Sequence, residues 1–122
     1  MAFKMENDKQ VKKMSAAIRL LNTEEFTTVR CLDLSLIAFG IPWSSPCQNQ
    51  HKILVSLTKK SAGIVTIARV DVESHPEIAE KINIQTVPTL VIYQKNREIK
   101  RLVGIQSFTA LQALLSDLQG NA

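Results

Sequence analysis

Cysteine is scarce. The chain of 122 residues holds two, Cys31 and Cys47, too few for a disulfide scaffold. Together with His51 and His75 they fit no zinc spacing, so neither a metal nor another cofactor is expected. Long apolar runs are missing too, and none approaches the length needed to cross a bilayer. The first residues carry Lys4, Glu6, Asp8 and Lys9 without an apolar stretch. No secretory signal is therefore expected, and a cytoplasmic setting is the default. There is no long basic run either. The net charge is +4 at pH 7, but Lys and Arg are scattered among acids, which argues against a nucleic-acid surface. Internal repeats and low-complexity tracts are absent.

What is present is material for one core. Hydrophobic residues make up 45% of the chain, which points to a packed globule rather than disorder. The length suits a single domain. Residues 1–14 read as a flexible polar lead, and 15–122 as the domain. Ile18 to Leu21 reads as a short edge strand. Asn22 and Glu25 have capping-box spacing, which predicts a helix from Thr23 to about Arg30. Leu34 to Phe39 is too continuously apolar to be half exposed, so a central strand covered on both faces is expected. Ile64 to Val72 reads as a second one. Ser74 is the expected cap of a helix with Pro76 in its first turn and Glu77 closing a capping box. Thr89 to Tyr93 and Glu98 to Val103 form a hairpin around a turn in which Asn96 takes positive φ. Ser107 caps a last helix that places Leu111, Leu114, Leu115 and Leu118 on one face. Strand and helix alternate, which predicts an α/β fold with a mixed sheet.

The most informative stretch lies between the first central strand and the helix after it. Phe39 is followed by Gly40-Ile41-Pro42-Trp43-Ser44-Ser45-Pro46-Cys47. A hydroxyl at Ser44 or Ser45 can cap the helix, and Pro46 suits its first turn. Cys47 then falls in that first turn. Trp43-Ser44-Ser45-Pro46-Cys47 resembles the Trp-Cys-Gly-Pro-Cys motif of the thioredoxin family. Thr86-Val87-Pro88-Thr89 resembles the family's cis-proline loop, and Val103-Gly104 the glycine near its last strand. The resemblance runs over about residues 18–118. It implies a thioredoxin fold, with a central mixed sheet of four to five strands flanked by helices on both faces.

The resemblance also implies a site. Cys47 stands at the family's second cysteine, and Ser44 at the position of its attacking nucleophile, an SxxC motif. Ala38 stands where the family has a buried acid. Trp43, Val87, Pro88, Gly104 and Ile105 stand where the family binds an extended protein or peptide partner. A monomer is expected, with neither nucleic acid nor membrane as partner. Thiol–disulfide exchange needs one thiolate to attack and a second thiol to release the mixed disulfide, and a serine hydroxyl can do neither. The reading preferred here is a protein of thiol-disulfide oxidoreductase ancestry with altered or lost dithiol activity. Two alternatives stay open. One is a redox-inactive binding or chaperone module using the groove at Trp43 and Pro88. The other is a monothiol redox sensor acting through Cys47.

The remaining candidates read as structural. Cys47 is read first as a small buried core residue, and Cys31 as structural and too far away to pair with it. His51 lies one turn after Cys47, a spacing that permits a Cys–His pair, but exposure to solvent is the preferred reading. His75 is expected to be exposed. Arg69, Lys95, Arg97, Lys100 and Arg101 are read as solvated surface.

Overall fold

The apolar run at Leu34 to Phe39 can be buried only if both of its edges find partners and both of its faces find cover. Strand β2 (Ser35–Gly40) meets both demands, and its Leu36, Ile37 and Phe39 are fully buried. The computed structural model describes residues 18–61 and 63–120. In chain order they form β1 (Arg19–Leu20), α1 (Thr23–Val29), β2, α2 (Ser45–Lys60), β3 (Thr66–Asp71), α3 (Pro76–Lys81), β4 (Thr89–Gln94), β5 (Arg97–Val103) and α4 (Phe108–Gly120). The sheet has five strands in the order β1-β3-β2-β4-β5. β3 runs parallel to β2 and to β1, while β4 is antiparallel to β2 and to β5. This is the mixed α/β sheet expected from the sequence. The polar lead expected at residues 1–14 lies outside the described residues.

Alternation along the strands divides the core in two. Ile37, Phe39, Ala68 and Val70 face α1 and α3, where Phe26, Val29 and Ile78 are buried. Phe26 meets Phe39 and Tyr93 edge-on, with ring centroids 5.9 Å apart in both pairs. Leu36, Ile67, Leu90 and Ile92 face the other way, against Leu54 and Leu57 of α2 and Leu111 and Leu115 of α4.

The helix starts are set by short polar side chains. At α1 the Asn22 side chain accepts from the Glu25 N–H at 2.8 Å, and the Asn22 N–H donates back to the Glu25 carboxylate at 2.9 Å. At α4 the Ser107 hydroxyl accepts from the Ala110 N–H at 3.1 Å. The β4–β5 turn uses two left-handed residues, Lys95 (φ 49°) and Asn96 (φ 75°), where the sequence pointed only to Asn96. Two positive φ values in a row match the twist of the strands they join.

Three expectations fail. Ser74 does not cap α3. His75 occupies the cap position without a side-chain hydrogen bond to the helix. Asp71, at the end of β3, captures the Ser74 hydroxyl at 3.0 Å and the Glu73 N–H at 2.9 Å. The Glu77 carboxylate accepts instead from Thr23 at 2.6 Å and meets His75 at 3.2 Å, tying α3 to α1. His75 is thereby partly buried rather than exposed. Arg101 is not plain solvated surface either. It grips the Glu98 carboxylate through two nitrogens at 2.8 Å and donates to the carbonyls of Ile82 (2.8 Å) and Asn83 (3.1 Å). Its guanidinium thus closes the orphan carbonyls at the end of α3.

The α1 cap is testable. Asn22→Ala removes one acceptor and leaves the Glu25 N–H unpaired, and should cost about 1 kcal/mol of stability in urea unfolding.

Candidate functional site

The site is built where β2 ends and α2 begins. Ser44 keeps extended backbone (φ −83°, ψ 126°), and its hydroxyl accepts from the Cys47 N–H at 3.4 Å. The Gln48 side chain donates to the Pro42 carbonyl at 2.8 Å and closes the loop from the helix side. Cys47 therefore sits in the first turn of α2, as the sequence indicated, and it is partly rather than fully buried. Gly40 explains its position. A Cβ built on Gly40 would lie 2.9 Å from the Cys47 sulfur and 3.3 Å from its Cβ. Only a residue without a side chain lets the strand end approach this helix so closely.

Cys31 and Cys47 are both free thiols, one before β2 and the other beyond its far end. Cys31 is exposed, which corrects its reading as a structural residue. Helix α1 ends at Val29 with Arg30 as its cap and leaves Cys31 on the link to β2.

Trp43 is 68% exposed, with its indole N–H aimed at both oxygens of Glu73 at 3.0 and 3.1 Å. The peptide bond between Val87 and Pro88 is cis. The β4–β5 hairpin brings Gly104 alongside, and its N–H donates to the Pro88 carbonyl at 2.8 Å. Gly104 has φ 88°, a left-handed turn out of β5 that suits glycine. Ile105 follows it and is exposed. The loop after β5 is held to α2 by Gln50. Its amide donates to the Gln106 carbonyl at 3.0 Å and accepts from the Gln106 N–H at 2.6 Å. Gln50 is fully buried, a residue that sequence reasoning passed over. Its signal was a glutamine at a position in phase with Leu54 and Leu57 on the apolar face of α2.

Between α2 and the sheet lies a cavity of about 490 Å³ that opens to the surface at Leu20, Pro42, Gln48 and Lys52. Cys47 and Pro88 both line it, whereas Ser44, Trp43, Val87, Gly104 and Ile105 do not. Its floor follows from strand register. Leu20, Arg69 and Ala38 are paired neighbours on β1, β3 and β2, so they share one face. Arg69 is thus not the solvated residue expected. Its Nε is sealed from water and has no hydrogen-bond partner among the described residues. His51 also lines the cavity and is partly buried, which corrects its expected exposure. Its Nδ1 is likewise buried without a partner. Burial, and then the charge of Arg69, hold the His51 pKa below 6.5. The sequence did carry a hint: Arg69 interrupts the apolar strand Ile67-Ala68-Arg69-Val70 on the face opposite Ala68 and Val70. Among the described residues no cluster of His, Cys, Asp or Glu could hold a metal ion. Nor is any helix there long and apolar enough to cross a membrane.

With strand order, helix α2 and the Pro88 turn in place, comparison with known proteins is decisive. The thioredoxin family model matches residues 17–117. The chain belongs to the thioredoxin family. It is 30% identical over 102 residues to the thioredoxin of Chlamydia trachomatis, covering 84% of this chain and 99% of that one. A mutant thioredoxin from Halobacterium salinarum superposes with a TM-score of 0.74 at 25% identity, over 82% of this chain and 88% of that one. The bifunctional thioredoxin reductase/thioredoxin of Mycobacterium leprae is 30% identical over 86 residues, which is 70% of this chain but only 19% of that one. The recognised fold and the thiol-disulfide oxidoreductase family are thereby established for this thioredoxin-like chain.

Two outcomes test the site's packing. Gly40→Ala should lose about 1–3 kcal/mol through overpacking against Cys47, and part of the loss should return in the double variant with Cys47→Ala, as read by a double-mutant cycle. His51 should make stability depend on pH. Above pH 6.5 both states hold it neutral and its contribution is complete. As the pH falls below that value the unfolded chain binds a proton that the folded chain resists, so stability declines until the lowered folded value is passed. Urea midpoints from about pH 8 to about pH 5 should fall less steeply for His51→Gln.

Proposed function

We propose that this chain is a thioredoxin-like protein that binds extended protein segments but has lost dithiol turnover. The observation that carries this reading is the use of Ser44 as a helix cap. Its oxygen accepts from the Cys47 N–H at 3.4 Å, at the position where the family places its nucleophilic sulfur. An alkoxide at that position is out of reach near neutral pH, and oxygen cannot enter a disulfide. Ala38 adds a second loss, because a methyl cannot move a proton to or from Cys47.

The binding surface is the better preserved part. Exposed Trp43, the Val87–Pro88 turn, Gly104 and Ile105 form a rim on which an extended chain can add as a strand. The partner is a protein or peptide, taken up by a monomer without a cofactor, and neither nucleic acid nor membrane is required. A cytoplasmic setting, in which glutathione and thioredoxin systems keep thiols reduced, agrees with two free cysteines. One further reading has an observation of its own. Cys47 is partly buried and lines a cavity, so it can form a mixed disulfide that an outside thiol must then release.

Reduction of a protein disulfide tests the proposal. The chain should show no catalytic turnover. Ser44→Cys should create a redox-active loop, and Ala38→Asp added to it should raise the rate by up to roughly 10²–10⁴-fold, the range for general acid–base help. Catalysis by the unmodified chain that Cys47→Ala abolishes would replace the dithiol-loss reading with the monothiol one.

A further inference from the structure

We propose that the cavity over Ala38 is a binding site for a small organic anion, a carboxylate carrying a short apolar body. The register of three strands creates the space. Leu20, Arg69 and Ala38 lie side by side on one face. Ala38 contributes only a methyl group between Arg69 and Leu90, so volume opens beside the arginine. The walls are largely apolar, with Ile41, Pro42, Leu54 and Pro88 among them. At about 490 Å³ the cavity falls in the range of small-molecule sites.

Its polar groups are unbalanced. Arg69 and Lys52 bring positive charge to the lining, and His51 adds a neutral ring with one donor and one acceptor nitrogen. Arg69 makes no ion pair among the described residues. Its Nε and the His51 Nδ1 are both sealed from water without a partner. The acidic side chain on the lining, Asp71, is already engaged, accepting from the Glu73 N–H and the Ser74 hydroxyl. A partly buried guanidinium with an unmet N–H and no carboxylate partner among the described residues is completed by an acceptor with negative charge. A guanidinium fork matches a carboxylate, two oxygens against two N–H groups. The apolar walls then select the rest of the ligand. No redox step is involved, and the inference does not rest on the protein-binding reading above, whose rim shares only Pro88 with this cavity.

The test titrates the full chain with acetate, butyrate and hexanoate, and with hexanamide as the uncharged counterpart, at fixed ionic strength. Calorimetry reads affinity, and NMR shifts locate the ligand. Binding should be saturable and should strengthen roughly fourfold per added methylene. Hexanoate should exceed hexanamide at least tenfold, with the largest shifts at Ala38, His51 and Arg69. Arg69→Gln should erase the preference for acid over amide, and Ala38→Leu should weaken both by filling the space. Equal binding of acid and amide by the unmodified chain, a preference that survives Arg69→Gln, or shifts confined to other surfaces would each overturn the proposal. If Arg69→Gln does not fold, the acid–amide ratio in the unmodified chain and the loss in Ala38→Leu decide it.

Discussion

The site depends on the double pairing of β2. A strand bonded on both edges cannot slide, because a slip of one residue would turn Leu36, Ile37 and Phe39 onto the wrong faces. Its end is therefore a fixed point. Gly40 is that end, and the Cys47 sulfur rests against it where another residue would put a side chain. The start of α2, the Ser44 cap and the position of the thiol all follow from this anchored terminus. β4 pairs antiparallel to the same strand, which sets the Pro88 turn at the same end of the sheet as Cys47.

The chemistry around that point is dominated by what the sheet presents to α2. Three positions in register, Leu20, Arg69 and Ala38, give the helix a floor of uneven height. An arginine is partly buried there without an ion pair among the described residues, and its charge bears on His51. Burying polar groups without partners is costly, so the marginal stability of the domain is partly spent here. Elsewhere the polar groups are better matched. Arg101, also on a strand, has a carboxylate and two carbonyls for company. The contrast between two arginines of the same fold shows how strongly local partners decide what a charge does.

Much of the fold was legible in the chain. Strand alternation, the Asn22–Glu25 box, the Ser44 and Ser107 caps and the hairpin turn are local signals, and each acts through neighbours a few residues away. The Trp43–Cys47 loop and the Val87–Pro88 turn were legible through their resemblance to the motifs of the thioredoxin family. What escaped was set by distant partners. Ser74 looked like a cap until Asp71, at the end of a strand, took its hydroxyl. Arg69 and His51 looked solvated because their burial depends on strand register and on the way α2 lies across it. Arg101 found the end of α3, a segment the hairpin meets only after folding. Cys31 lost its structural reading because α1 stops at Val29 and leaves the link exposed.

Gln50 and Gln106 are 56 positions apart, yet their paired hydrogen bonds join helix α2 to the loop that follows β5. Closing so long a loop is entropically slow and is rewarded only once both partners are nearly in place. Once made, the joint ties the thiol-bearing helix to the loop that carries Gly104 and Ile105, so a shift of one carries the other.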